Sequence, residues 1–347
     1  MTNLNKQFVP GLRPTPEDKR DFSFGSFFKT PDVKDIPLTD WLVSEPLKIK
    51  DQGSTDFCTG YASTSISEMQ EAVELSPEYQ FAQTKKIEGR FDSWGANLRD
   101  ACKSVVKVGS VEQEQAPFMG GQRDFIANWT NWPDLDETAK AHRKKSYFKI
   151  SGPDMFDEIR AALWQFRHEK RAVLTGVMWR PSWLSAPNGI IPKTPEAGGG
   201  GHAIAIIGQK MIPGETGVEP YLVIQNSYGT DVGDNGLFYI PREVVNREFK
   251  FGAYMFQDLD PEIIKQIMKG DSMESKRFSF NKDEQWKLWK SFAIALGGYA
   301  AVKAVQTALQ IDFGPFNELA AALGGFLVNG IRLWLQGQGV TPLAGKK

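Results

Sequence analysis

Histidine and cysteine are scarce. The 347 residues include three histidines, His142, His168 and His202, and two cysteines, Cys58 and Cys102. So few donors, so widely scattered, exclude the spacing of a structural or catalytic metal site, and no metal or other cofactor is expected. If Cys58 is kept for chemistry, Cys102 has no partner for a structural disulfide, which suits a reducing compartment. Charge of one sign is also lacking. The formal net charge is −1, and a chain so balanced is not built to bind nucleic acid by neutralising phosphates. The polar stretch from Met1 to Arg20 contains no apolar run of the kind a secretory signal needs, so a cytoplasmic protein is expected. Apolar residues themselves are not missing. At 41% of the chain they suffice for a sizeable core and argue against global disorder.

The residues that are present change character along the chain. Residues 1–45, with "FVPGLRPTPEDKRDFSF", read as an extended N-terminal arm, either a flexible tail or a docked strap. Helix signals follow. Thr59 to Val73 has no proline, and Tyr61, Ile66, Met69 and Val73 recur at helical spacing. Ser76 to Ile87 opens with a serine cap and a proline at the first helical position. Asn97 to Gly109 has an asparagine cap, Leu98, Ala101, Val105 and Val108 on one face, and a terminal glycine. Cys102 falls in this helix as a core or half-buried thiol. Asp154 to Arg171 predicts a further helix, with His168 at its solvated end, and His142 sits in a basic run read as a solvated face. After that come short β-rich runs bounded by Gly and Pro: Ala172 to Trp179, the segment after His202, Tyr221 to Asn226, and Gly236 to Ile240. Helices first and strands later indicate an α+β fold.

Three motifs carry chemistry. In "DQGSTDFCTGYA" a glutamine, Gln52, stands six residues before Cys58, where a helix is expected to begin. A thiol at a helix N-terminus meets unpaired backbone N–H groups and the positive end of the dipole, which favours thiolate. On this stretch alone, a nucleophile and a buried structural cysteine are both open readings. "GGGGHAIAIIG" places His202 at the head of an apolar run, and "YLVIQNSYGT" ends a strand-like run on Asn226. Cys, then a distant His, then Asn is the order of a cysteine nucleophile, its base and the group that orients the base.

Together these motifs resemble the papain-like (C1) family of cysteine peptidases over about residues 8–258. Gln52, Cys58, His202 and Asn226 match the family's four active-site positions in order, and "NSYG" is similar to its Asn-Ser-Trp-Gly segment with Tyr228 in place of Trp. The resemblance implies a two-lobed fold, with a helical lobe carrying Cys58 and a β lobe carrying His202 and Asn226. It implies a catalytic Cys58–His202–Asn226 triad, an oxyanion hole built from Gln52, and a peptide or protein substrate. It also implies that Trp94 and Gly95 lie on a substrate-binding strand and that Tyr228 covers the His–Asn pair. The arm resembles the short lead-in of bacterial and viral members and is too short for their relatives' long helical inhibitory propeptide. Around the nucleophile the chain departs from the family: Asp56 and Phe57 replace small residues, and the usual disulfide cysteine is absent.

The resemblance ends before the tail. Within the expected peptidase domain, 46–258, nothing accounts for the charged linker 259–283 or for residues 284–347, where Ala295-Leu296-Gly297-Gly298-Tyr299 is echoed by Ala322-Leu323-Gly324-Gly325-Phe326. The uncharged cores, Ser291–Val302 and Leu319–Ile331, fall short of the roughly 18–20 residues a bilayer span needs. An amphipathic α-helical hairpin is expected, packing on itself, on a protein assembly or at a membrane surface. Two functions are consistent with these features: a cysteine endopeptidase, or a catalytically vestigial scaffold anchored in a membrane-associated or virion-associated assembly by its hairpin.

Overall fold

A computed structural model of the chain describes residues 8–117, 135–214 and 217–258. The tail from 259 onward, with the expected linker and hairpin, lies outside the described residues. Among the described residues no helix is long and apolar enough to cross a membrane, and no group of His, Cys, Asp and Glu could hold a metal ion.

A short helix, α1 (Phe24–Phe27), lies in the arm, and the helical half is built on three more: α2 (Cys58–Glu71), α3 (Pro77–Glu88) and α4 (Leu98–Lys107). Their ends follow the capping signals. Ser76 accepts from the Tyr79 N–H, Asn97 accepts from the Asp100 N–H, and Gly89 closes α3 in the left-handed conformation. α2 differs from the expected half-buried helix. It is buried on every side from Cys58 to Met69, because α3 packs on one flank and the sheet on another. Its polar residues are tolerated there because they bond backward: Ser63 Oγ donates to Thr59 O at 2.7 Å and Thr64 Oγ1 to Gly60 O at 2.9 Å. Gly60 lets α2 and α3 approach so closely that a Cβ on it would stand 2.3 Å from the Pro77 carbonyl oxygen. Gly60→Ala should therefore lower stability by about 1–3 kcal/mol, measured as a drop in the urea midpoint with the slope unchanged.

The other half is a seven-stranded antiparallel sheet in the order β2-β7-β3-β4-β5-β6, with β1 added to β4. Its strands are β1 (Trp41–Leu42), β2 (Ser146–Ile150), β3 (Val173–Trp179), β4 (Gly200–Pro213), β5 (Val218–Gln225), β6 (Leu237–Ile240) and β7 (Ala253–Gln257). The apolar runs expected as strands are β3 to β6. β2 and β7 complete the edge, and β2 alternates buried and half-buried residues. One continuous core joins the sheet to Cys58, Ile66 and Met69 of α2 and to Phe156, Ile159 and Leu163 of the Met155–Gln165 helix. Two histidines that the sequence placed on the surface part company here. His168 lies in an exposed turn. His142 does not; its Nδ1 lies 2.6 Å from Glu71 Oε2 and its side chain is only 14% exposed.

The N-terminal arm is docked. Arg99, 5% exposed, forms an ion pair with Asp21, 4% exposed, at 2.6 Å, and also donates to the Pro16 carbonyl. Phe24 and Phe28 pack in a ring cluster with Phe148 and Phe166. β1, at the arm's far end, extends the sheet against Gly208 and Gln209. The strap is thus continuous with the body before residue 45.

Candidate active site

Cys58 is the first residue of α2, and its predecessor Phe57 offers no side-chain cap. The first-turn N–H groups therefore remain available near the sulfur. His202 enters from β4, where it pairs with Val177 of β3. Asn226 follows the last residue of β5. His202 Nε2 and Asn226 Oδ1 are 2.8 Å apart, and the same oxygen accepts from the Ser227 N–H at 2.8 Å. An oxygen acceptor requires Nε2 to be the donor, so a neutral ring keeps its lone pair on Nδ1. That atom is buried and has no hydrogen-bond partner among the described residues. Tyr228 stacks on the imidazole, with centroids 5.2 Å apart and planes 25° apart, and Trp179 meets it edge-on at 5.4 Å.

Gln52 sits in a loop tied to the same strand end. Its N–H donates to Ser227 O at 2.8 Å, and its Oε1 accepts from Ser227 Oγ at 2.6 Å. Its Nε2 donates to Thr55 O at 2.7 Å, which uses one of its two hydrogens. Ser227 was noted in the sequence only as part of a motif. Its hydroxyl and carbonyl couple the loop before Cys58 to the residue after Asn226, and no spacing signal could have revealed that.

The space above Cys58 is filled by the chain's own arm. Gly11 and Leu12 donate to Gly201 O at 3.2 and 3.0 Å, Ala96 donates to Gly11 O at 2.9 Å, and Arg13 donates to Ala96 O at 2.9 Å. Trp94 Nε1 donates to Pro10 O at 2.5 Å, and Tyr228 Oη bonds both the N–H and the carbonyl of Val9 at 3.2 Å. Phe8 meets His202 edge-on at 5.8 Å. Ala96, parallel to Leu12, is the residue of this segment that pairs with the strap backbone. Trp94 stays 52% exposed, and Gly95, at φ +62°, supports the approach. The glycine run before His202 has the same use: a Cβ on Gly200 would meet Pro10 at 2.4 Å, and one on Gly201 would meet Leu12 O at 2.2 Å. On the strap itself, a Cβ on Gly11 would stand 2.2 Å from Asp56 O.

Burial sets the electrostatics. The Cys58 thiol is pushed up to about 12, chiefly by burial, with the Asp56 charge adding; N–H groups of Ala203, Gly11 and Thr59 pull the other way. His202 is lowered to about 4 by burial, partly offset by its bond to Asn226. Burial thus opposes the helix N-terminus, disfavouring both the thiolate at Cys58 and the imidazolium at His202. Cys102, expected in the core, is fully buried, and its thiol too is raised by burial.

Residues 39–253 match the model of the papain family cysteine protease. A cysteine protease of the mite Blomia tropicalis is 19% identical over 228 residues, covering 58% of this chain and 60% of the relative. The chain thus spans about 60% of the length of the curated relative it matches. Xylellain, a cysteine protease from Xylella fastidiosa, superposes with a TM-score of 0.58 at 21% identity, over 73% of this chain and 97% of that one. A procathepsin B from Trypanosoma congolense superposes with a TM-score of 0.50 at 13% identity, over 72% and 86%. At such identities the likeness is one of fold.

Proposed function

The chain belongs to the papain family of cysteine proteases, and from that premise we propose that it is a cysteine endopeptidase held latent by its own N-terminal strap. Cys58 is the nucleophile, and His202 Nδ1 takes the thiol proton and later delivers it to the leaving amine. Asn226 fixes the ring. The free hydrogen of Gln52 Nε2 and the Cys58 N–H stabilise the oxyanion. The observation that carries this reading is the bond between His202 Nε2 and Asn226 Oδ1 at 2.8 Å, with a buried, unpartnered Nδ1 on the other side of the ring.

Latency rests on how the strap backbone is held. The Gly11 N–H, which donates to Gly201 O, lies near enough to Cys58 to favour its thiolate. The nearby carbonyls of Val9, Pro10 and Gly11 are held by Tyr228 Oη, Trp94 Nε1 and the Ala96 N–H. None is directed to Gln52 Nε2, so no tetrahedral intermediate on them gains an oxyanion donor, and the strap resists the nucleophile that it covers.

The test is labelling by an epoxide thiol reagent together with cleavage of a diverse peptide library. It is run on the wild-type chain and on Gly11→Ala, where the added Cβ unseats the strap. Cys58→Ala should abolish both signals. Labelling at Cys102 in place of Cys58 would sink the assignment. Asn226→Ala should lower turnover on the order of 10²-fold while Cys58 still alkylates, since the amide orients the base and does not react.

A further inference from the structure

Four charged side chains meet at one end of the strap, and three of them belong to the body. Asp56 and Lys85 are fully buried, and the Glu88 side chain is 3% exposed. Lys85 Nζ lies 3.2 Å from Glu88 Oε2 and also donates to the carbonyls of Ser93 and Gly95, each at 2.7 Å. Asp56 accepts from the Gly95 N–H. The Trp94–Gly95–Ala96 backbone, which pairs with the strap, is therefore gripped from both sides by buried ions. Glu88 Oε1 accepts from the Asn97 N–H at 3.1 Å and from Asn97 Nδ2 at 2.9 Å, which fixes the carboxylate. Its Oε2 is turned to the strap and accepts from Arg13 Nη2.

The body's three charges sum to one excess negative charge. Arg13, 28% exposed along its side chain, restores neutrality. When the strap leaves, the Glu88 carboxylate, still fixed by Asn97 and with Lys85 at 3.2 Å, loses its arginine at the end of the peptide-pairing edge. A fixed carboxylate facing the cleft with one cation removed favours a cationic replacement. Next to it, Leu12 is buried against Gly176 and Gly201, where an added Cβ would stand 2.2 Å from Leu12 itself.

We propose that Glu88 is a specificity residue: it forms a cation subsite that selects peptide substrates carrying arginine or lysine beside an apolar residue. Arg13 and Leu12 of the strap occupy the two subsites in the latent enzyme. The inference rests on the peptidase reading and adds the substrate class to it.

The experiment uses the full-length Gly11→Ala chain and internally quenched peptides with one leucine, flanked on its N- or C-terminal side by Arg, Gln or Glu. The Arg peptide should exceed the Gln peptide in kcat/KM by about tenfold on one side, and the Glu peptide should be poorest. The Arg:Gln ratio should fall toward one in Glu88→Gln, which keeps an acceptor for Asn97 and removes the charge. It should also shrink in the Gly11→Ala parent as NaCl is raised. An Arg:Gln ratio within twofold of one on both sides of the leucine, with all peptides turned over, would overturn the subsite and leave the peptidase reading standing. So would an Arg preference that survives in a folded Glu88→Gln enzyme. No turnover of any peptide, with Cys58 unlabelled, would remove the peptidase reading and the inference with it.

Discussion

Gly11→Ala should raise the rate of Cys58 alkylation at pH 7 by about a hundredfold. The Cβ would stand 2.2 Å from the Asp56 carbonyl oxygen, a backbone atom in the segment leading into α2. Relief requires the strap to move, and overpacking of about 1–3 kcal/mol shifts the seated population by roughly five- to more than a hundredfold. Exposure also changes the nucleophile. With the strap seated, burial holds the thiol near 12 and the imidazole near 4. Unseating removes that desolvation, leaving the helix N-terminus and an imidazolium to favour thiolate. The onset of alkylation should then move from the alkaline range to below the reference thiol value of about 8.5. The wild-type chain has an acid limb of its own. His202 ordinarily titrates near 6.5 and near 4 under the strap, so protons bind the unseated form better. Through His202 the seated form loses stability as pH falls from about 6.5 toward 4, and through the raised Cys58 thiol it also loses stability as pH rises from about 8.5 toward 12. A brief acid pulse should therefore increase labelling of the wild-type chain. Equal labelling of wild type and Gly11→Ala at every pH would rule the strap out as the barrier.

In the Gly11→Ala background, His202→Ala should lower kcat/KM by at least about 10⁴, and Cys58→Ala by a similar factor, since either change dismantles the same unit. The double variant should be no worse than the single ones. With His202 removed, alkylation of Cys58 at low pH should vanish, and the remaining reactivity should rise with pH like that of a free thiol. The two titrations belong to the pair, so the bell-shaped profile of the parent reports apparent values for both groups together. A His202→Ala chain that still alkylates well below neutral pH would show that the imidazole does not hold the thiol's proton.

Much of this was legible in the chain. Ser76 and Asn97 announced α3 and α4 because a capping oxygen acts within three residues. The strands β3 to β6 announced themselves by their buried apolar runs. β2 was hidden, because Tyr147 and Phe148 follow the basic run after His142 and the strand spans only five residues. His142 was misplaced for a related reason: its partner Glu71 is 71 residues away, and local composition cannot report a distant carboxylate. The motifs around Cys58, His202 and Asn226 were visible one by one. The role of Ala96, the coupling of Gln52 through Ser227 and the charge sum at Glu88 were not, since each exists only once segments remote in sequence are brought together. The thiolate expected at Cys58 follows from the helix end alone. Burial by segments remote in sequence, the strap among them, opposes it, and local sequence cannot report such burial.

The contact between Val9 and Tyr228 joins residues 219 positions apart. A chain synthesised from its N-terminus makes the strap first, yet the strap's seat is complete only once β4 and the segment after β5 have been made and paired. Long-range antiparallel pairing closes slowly, because each loop must lose its entropy before the contact forms. Seating of residues 8–13 is therefore expected among the last steps of folding. Every newly made molecule should pass through an interval in which the sheet is closed and the sulfur is uncovered. The length of that interval, set by topology, determines how much of the newly made protein carries an uncovered Cys58 at any moment.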